Sequence, residues 1–327
     1  MKLIEQARRM KQSVMLRIHF AKEAYRFWVL QVRYNASMHT DDDIEKMQYT
    51  ILRMNHTLEK GMSMRNPRKG FGQQKAEMIL KSLSRYGSLY GQQAVDFLAY
   101  PLATIKAYIN YTESHGVEIP AVKGLHEQLC RQYGFSVDSE KGGIRQETKA
   151  NVLQHCKGDF ASVLQSRHSI RFFERQPERG QIEQALKLAQ LTPSACNRQG
   201  WKTHVFWGEE SVRLACWQGG ANGFEEEIRC AILVTANLKA FLSGEYHQAY
   251  VDGGLYAMNL INALHSLGLG TIPLSCGFDY AKLRKLKSFG IPENEVPIVI
   301  IGVGSLPEHF HVAISERKDI SQTNTFH

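Results

Sequence analysis

The residues of this chain best suited to chemistry lie in RHSIRFF, Arg167 to Phe173, and in TPSACNRQGW, Thr192 to Trp201. Side chains alternate along an extended segment, so Arg167, Ser169 and Arg171, at i, i+2 and i+4, aim two guanidinium groups and a hydroxyl at one side. Guanidinium forks pair bidentately with phosphate oxygens and keep their charge at any working pH. The second string runs from a proline turn through Ser194, Asn197 and Gln199 to an aromatic, Trp201, and such a loop can present backbone and amide groups to the edge of a planar ring. Together the two strings point to a cofactor that is phosphorylated and planar.

In this order, the two strings resemble the signature of the nitroreductase-like flavoproteins, whose domains begin with an R-x-S-x-R segment and continue, after one helix, with a P-S-x-x-N-x-Q-x-W loop. Two later stretches extend the resemblance: YVDGGLYAMNLINALHSLGLGTIPL (Tyr250 to Leu274) is similar to the family's long central helix, and VPIVIIGVGSLPE (Val296 to Glu308) to its last core strand. It covers the chain from Phe160 to the C-terminus. Gly200 departs from the pattern, because the family has proline there, and a looser loop is expected. The resemblance implies an α+β fold, a nitroreductase-like sheet flanked by helices, assembled as a homodimer with FMN at the subunit interface.

It also assigns roles. Arg167 meets the FMN phosphate, with His168 beside it and Ser169 in support, and Arg171 lies near the pyrimidine edge of the flavin. Pro193, Ser194, Asn197 and Gln199 reach the flavin from the neighbouring subunit. Pro273, Leu274 and Ser275, in a turn that begins at Gly268, carry backbone groups toward the ring, and Arg317 and Lys318 give a last basic contact. No catalytic side chain and no metal is expected, since the cofactor carries the chemistry. The implied activity is ping-pong electron transfer from NAD(P)H through FMN to a small organic acceptor. A non-catalytic flavin-binding sensor or scaffold, and a flavin-fragmenting or dehalogenating relative, stay open as alternatives. The nicotinamide donor comes from the resemblance alone, because no GxGxxG follows a strand.

These residues must be positioned by a chain of 327 residues, of which 43% are hydrophobic and 10% aromatic, enough for a packed core and long enough for two domains. Residues 1–160 hold 24 Lys+Arg against 16 Asp+Glu, whereas residues 161–327 hold 16 against 16, so the whole basic excess lies in the first half. That asymmetry suggests an all-helical N-terminal domain over 1–158 and the flavin-binding domain over 159–327. The basic residues of the first half are mixed with acids at helical spacing, which reads as a solvated face. Docking of that half on anionic membrane or nucleic acid ranks last, and no nucleic-acid partner is expected. No run is apolar and long enough to span a bilayer, and MKLIEQARRMKQS lacks the apolar centre of a signal peptide, so a cytoplasmic location is expected. The six cysteines show no CxxC pair, and buried structural thiols are expected.

The first half reads as successive helices: Leu3 to Tyr34, Ile44 to Lys60 capped from Thr40 to Asp43, Gln74 to Gly87, Gly91 to Ser114 with a break near Pro101, and Glu118 to Tyr133. Segment 56–72, with three glycines, one proline and His56, Lys60, Arg65, Arg68 and Lys69, reads as an irregular basic loop. With the helices around it, this loop is expected to cover the flavin pocket, bringing His56 close. Residues 134–147 read as a polar linker. The second half alternates, with helices at Phe160 to Gln165 and Gln181 to Leu191, and strands at His204 to Trp207, Ala231 to Thr235 and Pro297 to Val303. The helix Tyr250 to Leu267, apolar all round, is expected to be buried, and the resemblance implies that it lies in the dimer interface.

Overall fold

The computed structural model describes residues 2–34, 43–91, 95–136, 141–241, 245 and 247–327. Its first part is helical: α1 (Lys2–Tyr34), α2 (Ile44–Met62), α3 (Gln73–Tyr90), α4 (Val95–Ser114) and α5 (Pro120–Tyr133). Helix α2 starts where the Asp43 carboxylate accepts from the Lys46 backbone N–H at 3.1 Å, an N-cap at the position expected; Thr40, Asp41 and Asp42 lie outside the described residues. Apolar faces of α2 to α5 meet in one core that includes Ile51, Leu58, Leu83, Leu102 and Ile105. Pro101 is buried inside α4 and does not interrupt it. Helix α1 stands outside that core, with Tyr25 and Trp28 exposed at 65% and 59%.

The second part comprises β1 (Ile144–Thr148), α6 (Lys149–His155), α7 (Phe160–Ser166), α8 (Arg179–Ala189), β2 (Trp201–Trp207), α9 (Gly208–Gln218), β3 (Cys230–Asn237), α10 (Gln248–Ser266), β4 (Leu269–Ser275), α11 (Tyr280–Leu283), β5 (Glu295–Ser305) and β6 (His309–Ala313). Strands β2-β3-β5-β4 form an antiparallel sheet in that order, and β1 pairs with β6 in a separate antiparallel ribbon. Alternation along β3 is regular: Cys230, Ile232 and Val234 face a core shared with α8 and α10, while Ala231 and Leu233 face the core on the α9 side. The sheet is therefore covered by helices on both faces, which makes the fold α+β.

Three expectations are corrected. The stretch read as a linker contains β1, whose ladder with β6 runs from Ile144 opposite Ala313 to Thr148 opposite His309. Segment 56–72 is not wholly irregular, because α2 continues to Met62. The turn expected over residues 268–275 is strand β4 from Leu269 on; only Gly268, left-handed at φ +77°, breaks the chain there, after α10. Within one chain, helix α10 is buried on one face: Tyr256, Leu260 and Leu264 are in the core, whereas Tyr250, Val251, Leu255 and Met258 are 41–51% exposed.

Candidate anion-binding site

Helix α7 ends at Ser166, and the chain leaves it extended at Arg167 (φ −79°, ψ 121°). It then runs beside β4: Ser169 makes a parallel bridge to Thr271, and the Ile170 N–H donates to the Thr271 carbonyl at 2.9 Å. Strand β4 is the sheet's edge, so its outward carbonyl is free to hold this segment. Ile170 and Phe173 anchor the segment in the core.

Arg167, His168, Ser169 and Arg171 line one cavity of about 530 Å³. Arg145 of β1, Leu164 and Gln165 of α7, residues 313–317 after β6, and His56 of α2 complete its walls. Four guanidinium groups thus converge, and they differ in how they are compensated. Arg145 lies 3.7 Å from Glu147. Arg171, 3% exposed, donates to Oγ of Ser63, the residue after α2, at 3.0 Å. Burial lowers its pKa to about 10, against an opposing pull from Glu59, and its Nε is buried without a hydrogen-bond partner. Arg167 has its pKa lowered by burial and then by the charge of Arg317. Arg317 donates to its near neighbour, the Ser315 carbonyl. Neither Arg167 nor Arg317 forms an ion pair with a carboxylate among the described residues.

Two histidines back this cluster and add no charge to it. Arg145 Nη2 donates to His168 Nε2 at 2.8 Å, and since guanidinium only donates, the His168 proton must be on Nδ1. Burial and then Arg145 hold the His168 pKa down at about 4. His265, on α10, shares a 2.8 Å hydrogen bond with Ser166 Oγ, and burial followed by Arg167 holds it at about 4 as well. Both imidazoles are neutral at pH 7. What remains is a polar cavity with four arginines against one lining carboxylate, Glu316, and with Arg167 and Arg317 in no ion pair among the described residues, an arrangement suited to a dianion.

The other residues singled out from sequence lie elsewhere in the chain. Ser194 accepts from the Gln199 N–H at 2.9 Å, the Ala195 N–H donates to the Asp252 carboxylate at 3.2 Å, and both arms of Arg198 reach Glu245 at 2.7 Å. This loop holds Cys196, Asn197 and Gln199 at φ 51°, 53° and 48°, left-handed values that non-glycine residues rarely adopt. At Gly200 a Cβ would lie 2.9 Å from the tip of the Phe241 ring and 3.0 Å from Ala240 Cβ, so any other residue would displace that ring. Pro193, Asn197 and Gln199 are exposed and do not line the cavity. Pro273 and Ser275 are exposed positions on β4, and Leu274 is in the core. Lys318 is exposed beside the cavity without lining it. Cys196 and Cys216 are exposed, while Cys156, Cys230 and Cys276 are buried as expected of structural thiols.

Arg145, in the supposed linker, and Ser63 were not singled out from the sequence. The i, i+3 and i+7 spacing of His56, Glu59 and Ser63 is the signal that could have set Ser63 beside the other two, once the helix is taken to run through 56–62.

The model of the "Nitroreductase family" matches residues 164–234 and 217–305. An Archaeoglobus fulgidus protein provisionally named NADH dehydrogenase/NAD(P)H nitroreductase is 30% identical over 145 residues, which are 43% of this chain and 82% of that protein. A Bacillus subtilis protein provisionally named NAD(P)H nitroreductase YodC is 25% identical over 200 residues, 50% of this chain and 96% of its own length. Among solved structures, a provisionally named nitroreductase in complex with FMN from Exiguobacterium sibiricum is 20% identical, with a TM-score of 0.45 over 52% of this chain and 98% of that one.

Proposed function

Since the chain belongs to the nitroreductase family, we propose that the arginine cavity receives the phosphate-bearing tail of FMN and that the protein is an NAD(P)H-dependent oxidoreductase. The observation that carries this reading is the pairing of Arg167 with Arg317. The half-buried Arg167 and the exposed Arg317 line one cavity and repel each other, and neither forms an ion pair with a carboxylate among the described residues, although Glu316 lines the same cavity. A phosphate monoester, close to doubly charged at pH 7, would neutralise both.

The residues present fit such a group. Arg167 and Arg317 would hold the phosphate from two sides, and the Ser169 hydroxyl would add a neutral hydrogen bond. His168, kept neutral, offers its Nδ1–H. Arg171 lies at the buried end, and its unpartnered Nε–H is a donor available to the ring edge, where the family resemblance puts this arginine. A fixed positive charge there favours the electron-rich form of the ring. Bound FMN would supply two-electron chemistry, with NAD(P)H as donor and a small organic acceptor taking its place in turn. This chain's own residues hold, orient and shield; none is required to act as acid or base on the ring.

A homodimer belongs to the same reading. The exposed face of α10, Tyr250, Val251, Leu255 and Met258, is too apolar for a helix left in water, and a second copy would cover it. The loop bearing Ser194, Asn197 and Gln199 is tied to the same N-terminal half of that helix, through Asp252, and would reach the partner's cavity. Helices α1 to α5, in a domain ending near residue 158, would act as a cover, in a protein working in the cytoplasm. No helix among the described residues is long and apolar enough to cross a membrane. The test is direct: protein purified with FMN should be yellow and should bleach when NADH or NADPH is added under nitrogen. A yellow protein that never bleaches would favour a sensor instead.

A further inference from the structure

We propose that His56, on the helical part of the chain, is a ligand-contacting residue of the arginine cavity, and that Glu59 is the positioning residue that holds it there. This rests on the reading of the cavity as the seat of a phosphate-bearing ligand, and it adds a wall from outside the nitroreductase part of the chain.

Glu59 is 1% exposed. Its Oε1 accepts from the Tyr100 hydroxyl at 2.7 Å, the Gly143 N–H at 3.3 Å and the Thr104 hydroxyl at 3.5 Å. Its Oε2 is buried and has no hydrogen-bond partner, and 3.8 Å from it stands His56 Nδ1. A buried carboxylate with three donors on one oxygen and none on the other needs a nearby positive charge, part of which Arg171 supplies. His56 is the group set against the oxygen that has no donor. Its side chain is 53% exposed and lines the cavity, and with Nδ1 turned to Glu59, Nε2 is left for whatever the cavity holds.

The placement of this pair is fixed from the C-terminal end of the helix. Just after α2, one turn beyond Glu59, Ser63 accepts from Arg171 Nη1 at 3.0 Å. Lys60 Nζ donates to the Gly220 carbonyl at 2.8 Å, and Arg65 donates to the Phe173 carbonyl at 3.0 Å. On the other side, Gly143, bonded to Glu59, leads directly into β1 and so to Arg145. Helix α2 is therefore tied to three stretches around the cavity, and His56 faces a space whose other charged walls are Arg145, Arg167, Arg171, Glu316 and Arg317. An imidazolium held by a buried carboxylate would give the ligand's anionic tail a charge-assisted hydrogen bond from a second part of the chain.

The experiment is FMN titration, followed by quenching of flavin fluorescence, on full-length wild type, His56→Ala, His56→Gln, Glu59→Gln and the His56→Ala/Glu59→Gln double variant, with thermal melts confirming that each is folded. Both His56 variants should bind FMN about tenfold more weakly, the loss expected for one charged hydrogen bond. Glu59→Gln should weaken binding by a similar factor when His56 is present and by little when it is alanine, because Glu59 acts through His56. Wild-type affinity in both His56 variants would overturn the proposal, and so would an equal loss from Glu59→Gln in both backgrounds, the mark of a purely structural carboxylate. If wild type itself takes up no FMN, the cofactor reading falls and this inference with it. That result is distinct, because it appears before any substitution is made.

Discussion

Replacing Arg167 by methionine should improve the empty protein while ruining its binding site. The side chain keeps an apolar stem and loses the guanidinium, its charge and its donors. Burial and the nearby Arg317 both work against that charge in the empty cavity, and among the described residues no carboxylate forms an ion pair with it. Discounted for solvent at a half-buried site, relief of the like-charge contact is worth about 0.5–1 kcal/mol, and the desolvation relieved adds to it. Urea unfolding of the FMN-free variant should thus show a raised midpoint in low salt, and the electrostatic part of the gain should shrink at high salt. Against this, loss of a bidentate guanidinium–phosphate pair removes roughly 3–4 kcal/mol of binding, about 150- to 1,000-fold in Kd. A variant that is less stable than wild type and binds FMN normally would refute the argument, since Arg167 would then have a structural partner and no ligand.

Two further outcomes are expected. His168 and His265 titrate near 6.5 when unfolded and near 4 in the fold, so between those values the unfolded chain binds protons that the folded chain does not, and stability falls as pH drops. Urea unfolding between pH 7 and pH 4.5 should show a loss of about 3 kcal/mol for the pair after allowing for solvent screening at His168, and His265→Gln should show a smaller one; identical profiles would contradict the assignment. Leu255→Glu, at a 48% exposed position on α10, should convert a dimer into monomers in sedimentation velocity and cost FMN affinity as well; a wild type that sediments as a monomer would remove the dimer from the account.

Much of this architecture was legible in the sequence where a period or a cap carried it. The i, i+2, i+4 spacing of Arg167, Ser169 and Arg171 survives because the segment truly is extended, held by Thr271 of β4. Helix α2 begins at the expected cap, and the strands at 204, 231 and 297 were marked by runs of β-branched and apolar residues. Other elements had no local signal. Strand β1 is mostly polar, and it is a strand only because β6, more than 160 positions later, supplies its ladder. Gly268, Gly270 and Pro273 read as a turn, yet an edge strand tolerates a proline with no N–H to give, and β4 pairs only with β5 within the sheet. The apolar run of α10 marks it for burial, and composition does not tell which of its faces packs on the chain's own core. Arg145 entered the site through a tertiary contact, which no spacing rule reports.

The claim on which the rest depends is that the Arg167–Arg317 cavity grips a phosphate. The most direct measurement is the ratio of affinities for FMN and riboflavin, which share the ring and ribityl chain and differ by that group alone. The account predicts that wild type binds FMN at least about 100-fold more tightly than riboflavin, in line with two charged hydrogen bonds, and that Arg167→Met nearly abolishes the difference. Equal affinity of the wild-type protein for the two ligands would contradict it.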